Sequence, residues 1–237
     1  MTEIKTSTDY KCYPLGDAAI VIEFGSIIDP TINFRIRSVC NWLDEYTFEG
    51  FVEYVPAYTT ITIYYQPFIV GYDELLEMVI EMLAEESSDA EQERVLIEIP
   101  VLYGGKYGVD LHSVAKHNRL TIEEVVAIHS GAEYLVYMIG FAPGFPYMGG
   151  LDERIAAPRK TSPSAKILSG SVGIAGMQTG IYPMETPGGW QIIGRTPLKL
   201  FDVERDNPSL LKAGNLVRFK AISEEQYFYM EGDDYGY

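Results

Sequence analysis

The run Gly140-Phe141-Ala142-Pro143-Gly144-Phe145-Pro146-Tyr147-Met148-Gly149-Gly150 can be built neither as an ordinary helix nor as an ordinary strand. Gly144, Gly149 and Gly150 accept positive φ without steric cost, while Pro143 and Pro146 fix φ and remove backbone donors. Phe141, Phe145 and Tyr147 place large apolar faces between them, so the run reads as a rigid, aromatic-lined loop. A second run of the same character, Tyr182-Pro183-Met184-Glu185-Thr186-Pro187-Gly188-Gly189-Trp190, is followed by Gly194-Arg195-Thr196-Pro197. Two shaped loops and an arginine suggest the wall of a pocket; the alternative is that Gly and Pro turn tight corners in a β-rich barrel.

A chain of 237 residues buries a core without covalent staples. Its two cysteines, Cys12 and Cys40, lie far apart with no C-x-x-C and no histidine at metal-ligand spacing, which fits incidental thiols in a reducing compartment. Met1 to Tyr10 is polar, and no stretch approaches the roughly 20 apolar residues of a membrane span. The formal net charge of −16 opposes binding to nucleic acid or to an anionic membrane. The expectation is a soluble, cytoplasmic protein with no bound metal. Charge is also unevenly spread. Asp73 to Glu93 holds nine acids and no base, whereas Phe141 to Leu200 holds six bases (Arg154, Arg159, Lys160, Lys166, Arg195, Lys199) and three acids. A positive island on an acidic protein suits a small anionic ligand, a carboxylate or a phosphate.

Taken in order, Ala18 to Phe24 reads as a strand, and Asp29-Pro30 as the cap and first turn of a helix with Ile32, Ile36, Val39, Cys40 and Leu43 on one face. Phe51–Val55 and Thr59–Tyr65 read as a hairpin, and Asp73 opens a second amphipathic helix with a solvated acidic face. Polar Ser87 to Glu93 is the candidate linker, giving a small α+β domain over 1–90 and a second domain over 91–237. With Val95–Ile99 as a sixth element, the first domain would be ferredoxin-like; the alternative is that this strand starts the second domain.

Beyond Pro100 short strands alternate with glycine and proline: Tyr134–Ile139, Ser171–Ala175, Gln191–Ile193, Lys199–Phe201 and Asn215–Ile222, the pattern of a closed or nearly closed barrel. Asp110 is expected to cap a short helix, and Thr121-Ile122-Glu123-Glu124 is a capping box for another, closed by Gly131. His129, on that helix's last turn, is favoured there as a cation. Tyr103-Gly104-Gly105-Lys106-Tyr107-Gly108 is too irregular for a Walker phosphate loop. No nucleophile elbow, zinc-protease motif or dinucleotide fingerprint occurs in the sequence. What remains is binding chemistry, carried by Arg159, Lys160, Gln178, Tyr182, Gln191 and Arg195 in a glycine and aromatic frame. The acidic, aromatic tail Tyr227 to Tyr237 has no assignment.

The series Gly140 to Tyr147, Pro158-Arg159, Gly170 to Gly176, Gln178 to Pro183, Thr186 to Trp190 and Ile193 to Pro197 resembles the family of 5-oxoprolinase B subunits, also known as allophanate hydrolase subunit 1. That family includes a sporulation histidine-kinase inhibitor. The likeness covers about positions 95 to 220 of the sequence, with a weaker one before. It implies a cyclophilin-like β-barrel after a small α+β domain. It also implies two partners, a barrel-like C component and a lactam-opening A component, with which ATP-dependent hydrolysis of 5-oxoproline to glutamate is carried out. A related fused pair forms the carboxyltransferase part of urea carboxylase. Neither relation names a catalytic residue; the candidate substrate-binding residues, read from the loops and polar groups themselves, are Phe141, Pro143, Gly144, Phe145, Arg159, Gln178, Tyr182, Gly188, Gly189, Trp190 and Arg195. Regulation of a histidine kinase is the alternative function. Where relatives usually read Pro-Arg, this chain has Pro163-Ser164, leaving Lys166 as a point charge that cannot reproduce a planar fork.

Overall fold

The structure, a computed structural model, describes residues 5–6, 9–85 and 94–232. It divides into two compact units, Met1–Glu93 and Arg94–Tyr237. The expected linker Ser87–Glu93 lies outside the described residues.

In the first unit five strands, β1 (Lys5–Thr6), β2 (Lys11–Pro14), β3 (Ala19–Glu23), β4 (Phe51–Pro56) and β5 (Thr60–Tyr65), form one sheet in the order β1-β2-β3-β5-β4. Helix α1 (Pro30–Glu45) starts where its sequence signals place it. The Asp29 carboxylate accepts the Thr31 N–H at 2.7 Å and Pro30 occupies the first turn. Its buried stripe Ile36, Val39 and Leu43 joins Ile20 and Ile22 of β3, Ile61 and Ile63 of β5, and Leu75 and Val79 of α2 (Tyr72–Glu85) in one core. The strand needed after α2 to complete a ferredoxin-like order is absent from this sheet, because β2 occupies the edge of β3. The segment expected there, β6 (Leu96–Tyr103), pairs instead in the second unit.

That unit is a closed barrel, reading around as β10-β11-β8-β7-β14-β6-β13, with β13 returning to pair with β10. Its remaining strands are β7 (Glu133–Ile139), β8 (Pro146–Gly149), β10 (Ser171–Ala175), β11 (Gln178–Ile181), β13 (Gln191–Arg195) and β14 (Leu216–Ala221). Among the described strands only β14 and β6 run parallel; closure removes the exposed edges an open sheet would present. A two-stranded ribbon of β9 (Ser164–Ile167) and β12 (Thr186–Gly188) stands beside it. Lys199–Phe201 is no strand: Phe201 makes an isolated bridge to Ser209.

Helices α3 (Leu111–Asn118) and α4 (Ile122–Ser130) contribute Leu111, Val114 and Val125 to the barrel core. The capping box of α4 forms as its sequence dictates, with Glu124 N–H on Thr121 Oγ1 at 3.1 Å and Thr121 N–H on Glu124 Oε2 at 2.7 Å. Asp110 departs from expectation. Its side chain caps nothing; the carboxylate accepts the Ile192 N–H at 2.8 Å and binds Lys160 Nζ at 2.6 Å. A final helix, α5 (Glu224–Gly232), buries Tyr227 and covers the first residues of the tail; residues 233–237 lie outside the described residues.

His129 is not the surface cation its helix position suggests. It is 0% exposed, and burial lowers its pKa to about 3, so it is neutral. The Thr179 hydroxyl donates to Gly173 O at 3.0 Å and therefore accepts from His129 Nε2 at 2.9 Å, leaving Nδ1 to accept the Tyr103 hydroxyl at 2.7 Å. No helix among the described residues is long and apolar enough to cross a membrane.

Candidate functional site

The loop after β7 is built from two nested turns. Ala142 N–H reaches Gly140 O at 2.8 Å around Phe141, whose φ of 68° is the sign of the rare, strained three-residue turn. Phe145 N–H then closes on Ala142 O at 2.9 Å around Pro143 and Gly144, and Gly144 takes φ 79° at the place where a type II turn needs glycine. A Cβ on Gly144 would also meet Phe201 Cβ at 2.8 Å. Gly144→Ala is therefore expected to lower the unfolding free energy by about 1–3 kcal/mol, read by urea denaturation. A variant as stable as the parent would show that the turn relaxes freely.

These turns hold Phe141 outward, 64% exposed, and drive Phe145 inward to 1% exposure. Phe145 is the hub of an aromatic cluster. Its ring meets Phe141, Tyr147, Tyr182 and Trp190 edge-to-face at 5.4, 5.0, 5.3 and 5.5 Å. Strands β10 and β11 make room for the indole, because Gly173 and Gly180 face one another in register. A Cβ on Gly180 would lie 2.9 Å from Trp190 and 3.1 Å from Phe145. Small residues on the barrel wall thus determine where the large ones sit.

Above this floor lies a groove of about 240 Å³ between the two loops predicted to form a wall, rimmed by Phe141, Arg159, Pro163, Pro187 and Gly189. The Arg159 guanidinium carbon stands 6.0 Å from the Trp190 ring centroid, a long cation–π distance that leaves the fork available. Burial raises the Tyr182 hydroxyl above its ordinary value despite the opposing hydrogen bond from the Trp190 backbone and the Arg159 charge, so it is a neutral donor at physiological pH.

The predicted residues do not all converge. Phe141, Phe145, Arg159, Tyr182, Gly188, Gly189 and Trp190 line the groove, and Pro143 and Gly144 shape it from behind. Gln178 pairs opposite Ala175 on β11 and lines neither this groove nor the cavity around Arg195. Arg195 lies on that second, separate cavity with Lys160 and Lys166, its Nε bound to Ser169 O at 2.7 Å. Tyr147, Pro163 and Pro187 of the groove were not singled out as ligand residues from sequence. Tyr147 carries the one readable signal, alternating with Phe145 along an extended chain.

The positive island is mostly neutralised. Lys160 pairs with Asp110, Arg154 with Asp152, Lys166 with Glu185 and Lys199 with Asp202. Of its six bases, Arg159 and Arg195 alone have no carboxylate partner among the described residues. An arginine without a counter-ion, beside an apolar floor, can bind the carboxylate of a small ring compound bidentately.

The family model "Carboxyltransferase domain, subdomain C and D" matches residues 10–211. A Bacillus subtilis protein named as the B subunit of 5-oxoprolinase is 48% identical over 228 residues, spanning 92% of this chain and 95% of that one. The chain belongs to the family of 5-oxoprolinase B subunits. The Escherichia coli O157:H7 protein of the same name is 44% identical, across 88% of this chain and 94% of its own. Among solved structures, TTHA0988 superimposes with a TM-score of 0.77 at 34% identity, covering 86% of this chain. This chain spans 40% of the length of that one.

Proposed function

We propose that this chain is the B subunit of a 5-oxoprolinase, which with its A and C components opens 5-oxoproline to L-glutamate at the expense of ATP. The observation that carries the reading is the 48% identity to the Bacillus subtilis protein, over 92% of this chain and 95% of that one. The aromatic groove supports it chemically. A five-membered lactam would rest on Trp190 and Phe145, and its carboxylate would meet the Arg159 fork. The cyclophilin-like character of the barrel is part of the same proposal and rests on the family resemblance.

The groove's own side chains hold and orient. Tyr182 can donate to a lactam oxygen, and among the described residues no carboxylate or imidazole lines the groove to serve as a general base. Turnover therefore draws on groups from the other components, and the exposed Phe141 ring is placed to be covered when they assemble. Purified alone, the chain is expected neither to form glutamate nor to consume ATP; mixed with the cognate A and C components it is expected to restore glutamate formation. Equal turnover by those two components without it would overturn the reading and favour the family's other role, docking to a histidine kinase.

A further inference from the structure

The second cavity has a different chemistry. It encloses about 420 Å³, within the range of about 300–1,000 Å³ typical of small-molecule sites, and is bounded by the 104–109 loop and by β9, β10 and β13. Four cations line it: Lys106, Lys160, Lys166 and Arg195. Asp110 neutralises Lys160 at 2.6 Å and Glu185 neutralises Lys166 at 2.7 Å. Lys106 and Arg195 have no carboxylate partner among the described residues, so the cavity keeps an excess of two positive charges on a protein whose net charge is −16. We propose that this cavity binds the phosphate group of a small phosphorylated molecule, with Lys106 and Arg195 as its principal contacts.

Charge selects phosphate over carboxylate. A phosphomonoester carries about −1.5 to −2 at neutral pH, matching the excess, whereas a carboxylate leaves one cation uncompensated. The contacts are also preorganised. Arg195 has its Nε fixed on Ser169 O at 2.7 Å, which orients the planar fork and leaves its remaining N–H groups for a ligand. Lys160 is held by Asp110, whose carboxylate is itself anchored by the Ile192 N–H at 2.8 Å. Lys106 follows two glycines in the left-handed region, Gly104 at φ 73° and Gly105 at φ 54°, in a loop tied back by Gly108 N–H on Gly104 O at 2.8 Å. Its ammonium stands 4.9 Å from the Tyr107 ring and 5.7 Å from Phe228 of α5, while Tyr227 packs on Tyr107 at 4.9 Å. The glycine-rich segment that fails as a Walker loop thus presents one braced lysine to a cavity. Val109, Leu168 and Ile192 give the same cavity an apolar side for the organic part of the ligand.

The test uses the isolated full chain and so holds whether or not it assembles into a 5-oxoprolinase. Calorimetric titration at low salt compares phenyl phosphate with benzoate, which has the same ring and a carboxylate, and with ATP. Phenyl phosphate is expected to bind saturably and at least tenfold more tightly than benzoate. Lys106→Gln and Arg195→Lys should each weaken it about tenfold or more, and Arg159→Gln, in the aromatic groove, should leave it unchanged. A nucleotide and a small phosphorylated acid are the two sources of this chemistry. ATP binding more tightly than phenyl phosphate assigns the first, and the reverse order the second. Equal affinity for benzoate in Arg159→Gln, where the aromatic groove no longer holds a carboxylate, no saturable binding at millimolar phenyl phosphate, or loss of phenyl phosphate binding in Arg159→Gln but not in Lys106→Gln would each overturn the proposal. Lys106 is exposed, so its variant keeps the fold, which circular dichroism checks.

Discussion

Arg159→Gln is expected to lower kcat/KM for 5-oxoproline in the reconstituted complex by about 30- to 100-fold, corresponding to about 2–3 kcal/mol of transition-state binding. Arg159 is exposed and makes no ion pair among the described residues, so its removal costs the fold only a long cation–π contact with Trp190. The effect therefore separates from stability: the thermal midpoint should stay within about 1 °C of the parent. Arg159→Lys should recover only part of the loss, since an ammonium supplies charge without the two parallel donors of a guanidinium. Because the carboxylate keeps its charge while the lactam opens, the contact holds substrate and transition state alike, and a larger change is expected in KM than in kcat. Undiminished kcat/KM in both variants would show that the groove does not receive the substrate's carboxylate.

How much of this arrangement could be read from the chain depends on how local its causes are. Asp29-Pro30 and Thr121 with Glu124 specify helix starts through bonds spanning a few residues, and α1 and α4 begin where those residues place them. The turn at Pro143-Gly144 is likewise a local matter of φ. Asp110 has the right residue type for a cap, yet a lysine and a backbone amide far along the chain compete for its carboxylate and win. Val95–Ile99 reads as a strand from either side, and only pairing with Leu216 to Ala221 assigns it to the barrel. The candidate site shows the same limit. Aromatic and glycine composition marks both loops around the groove, but Arg159 and Arg195 look alike in sequence. It takes the barrel's closure to place one beside Trp190 and the other beside Lys160.

His129 is where helix position and barrel burial disagree most, and acid is the probe that measures it. The ring stacks on Phe219 at 4.5 Å and lies 5.2 Å from Tyr134. Its nitrogens are both engaged by hydroxyls, of Tyr103 and Thr179. No carboxylate is among these partners, so nothing compensates a charge there, and burial alone lowers the pKa to about 3. In the unfolded chain the same imidazole titrates near 6.5, so between these values the unfolded state binds the extra proton. Stability must then rise with pH across this window and fall as pH drops from about 6.5 toward 3, by about 1.4 kcal/mol per unit and at most about 5 kcal/mol in all. A loss of that size rivals the whole stability of a typical domain, about 5–15 kcal/mol. The barrel's urea midpoint should therefore decline steeply below pH 6, and His129→Gln should flatten the slope between pH 6 and 4 while lowering stability at pH 7 through poorer packing. Surface carboxylates such as Asp152, whose pKa of about 2 is set by hydrogen bonds to Arg154, contribute their own acid sensitivity only at the lower end of this range. An NMR titration reads the residue directly: the His129 ring resonances should stay fixed from pH 8 to 4.5. A His129 midpoint near 6.5, or an unchanged slope in His129→Gln, would refute the neutral, buried imidazole as the acid-sensitive element of the barrel.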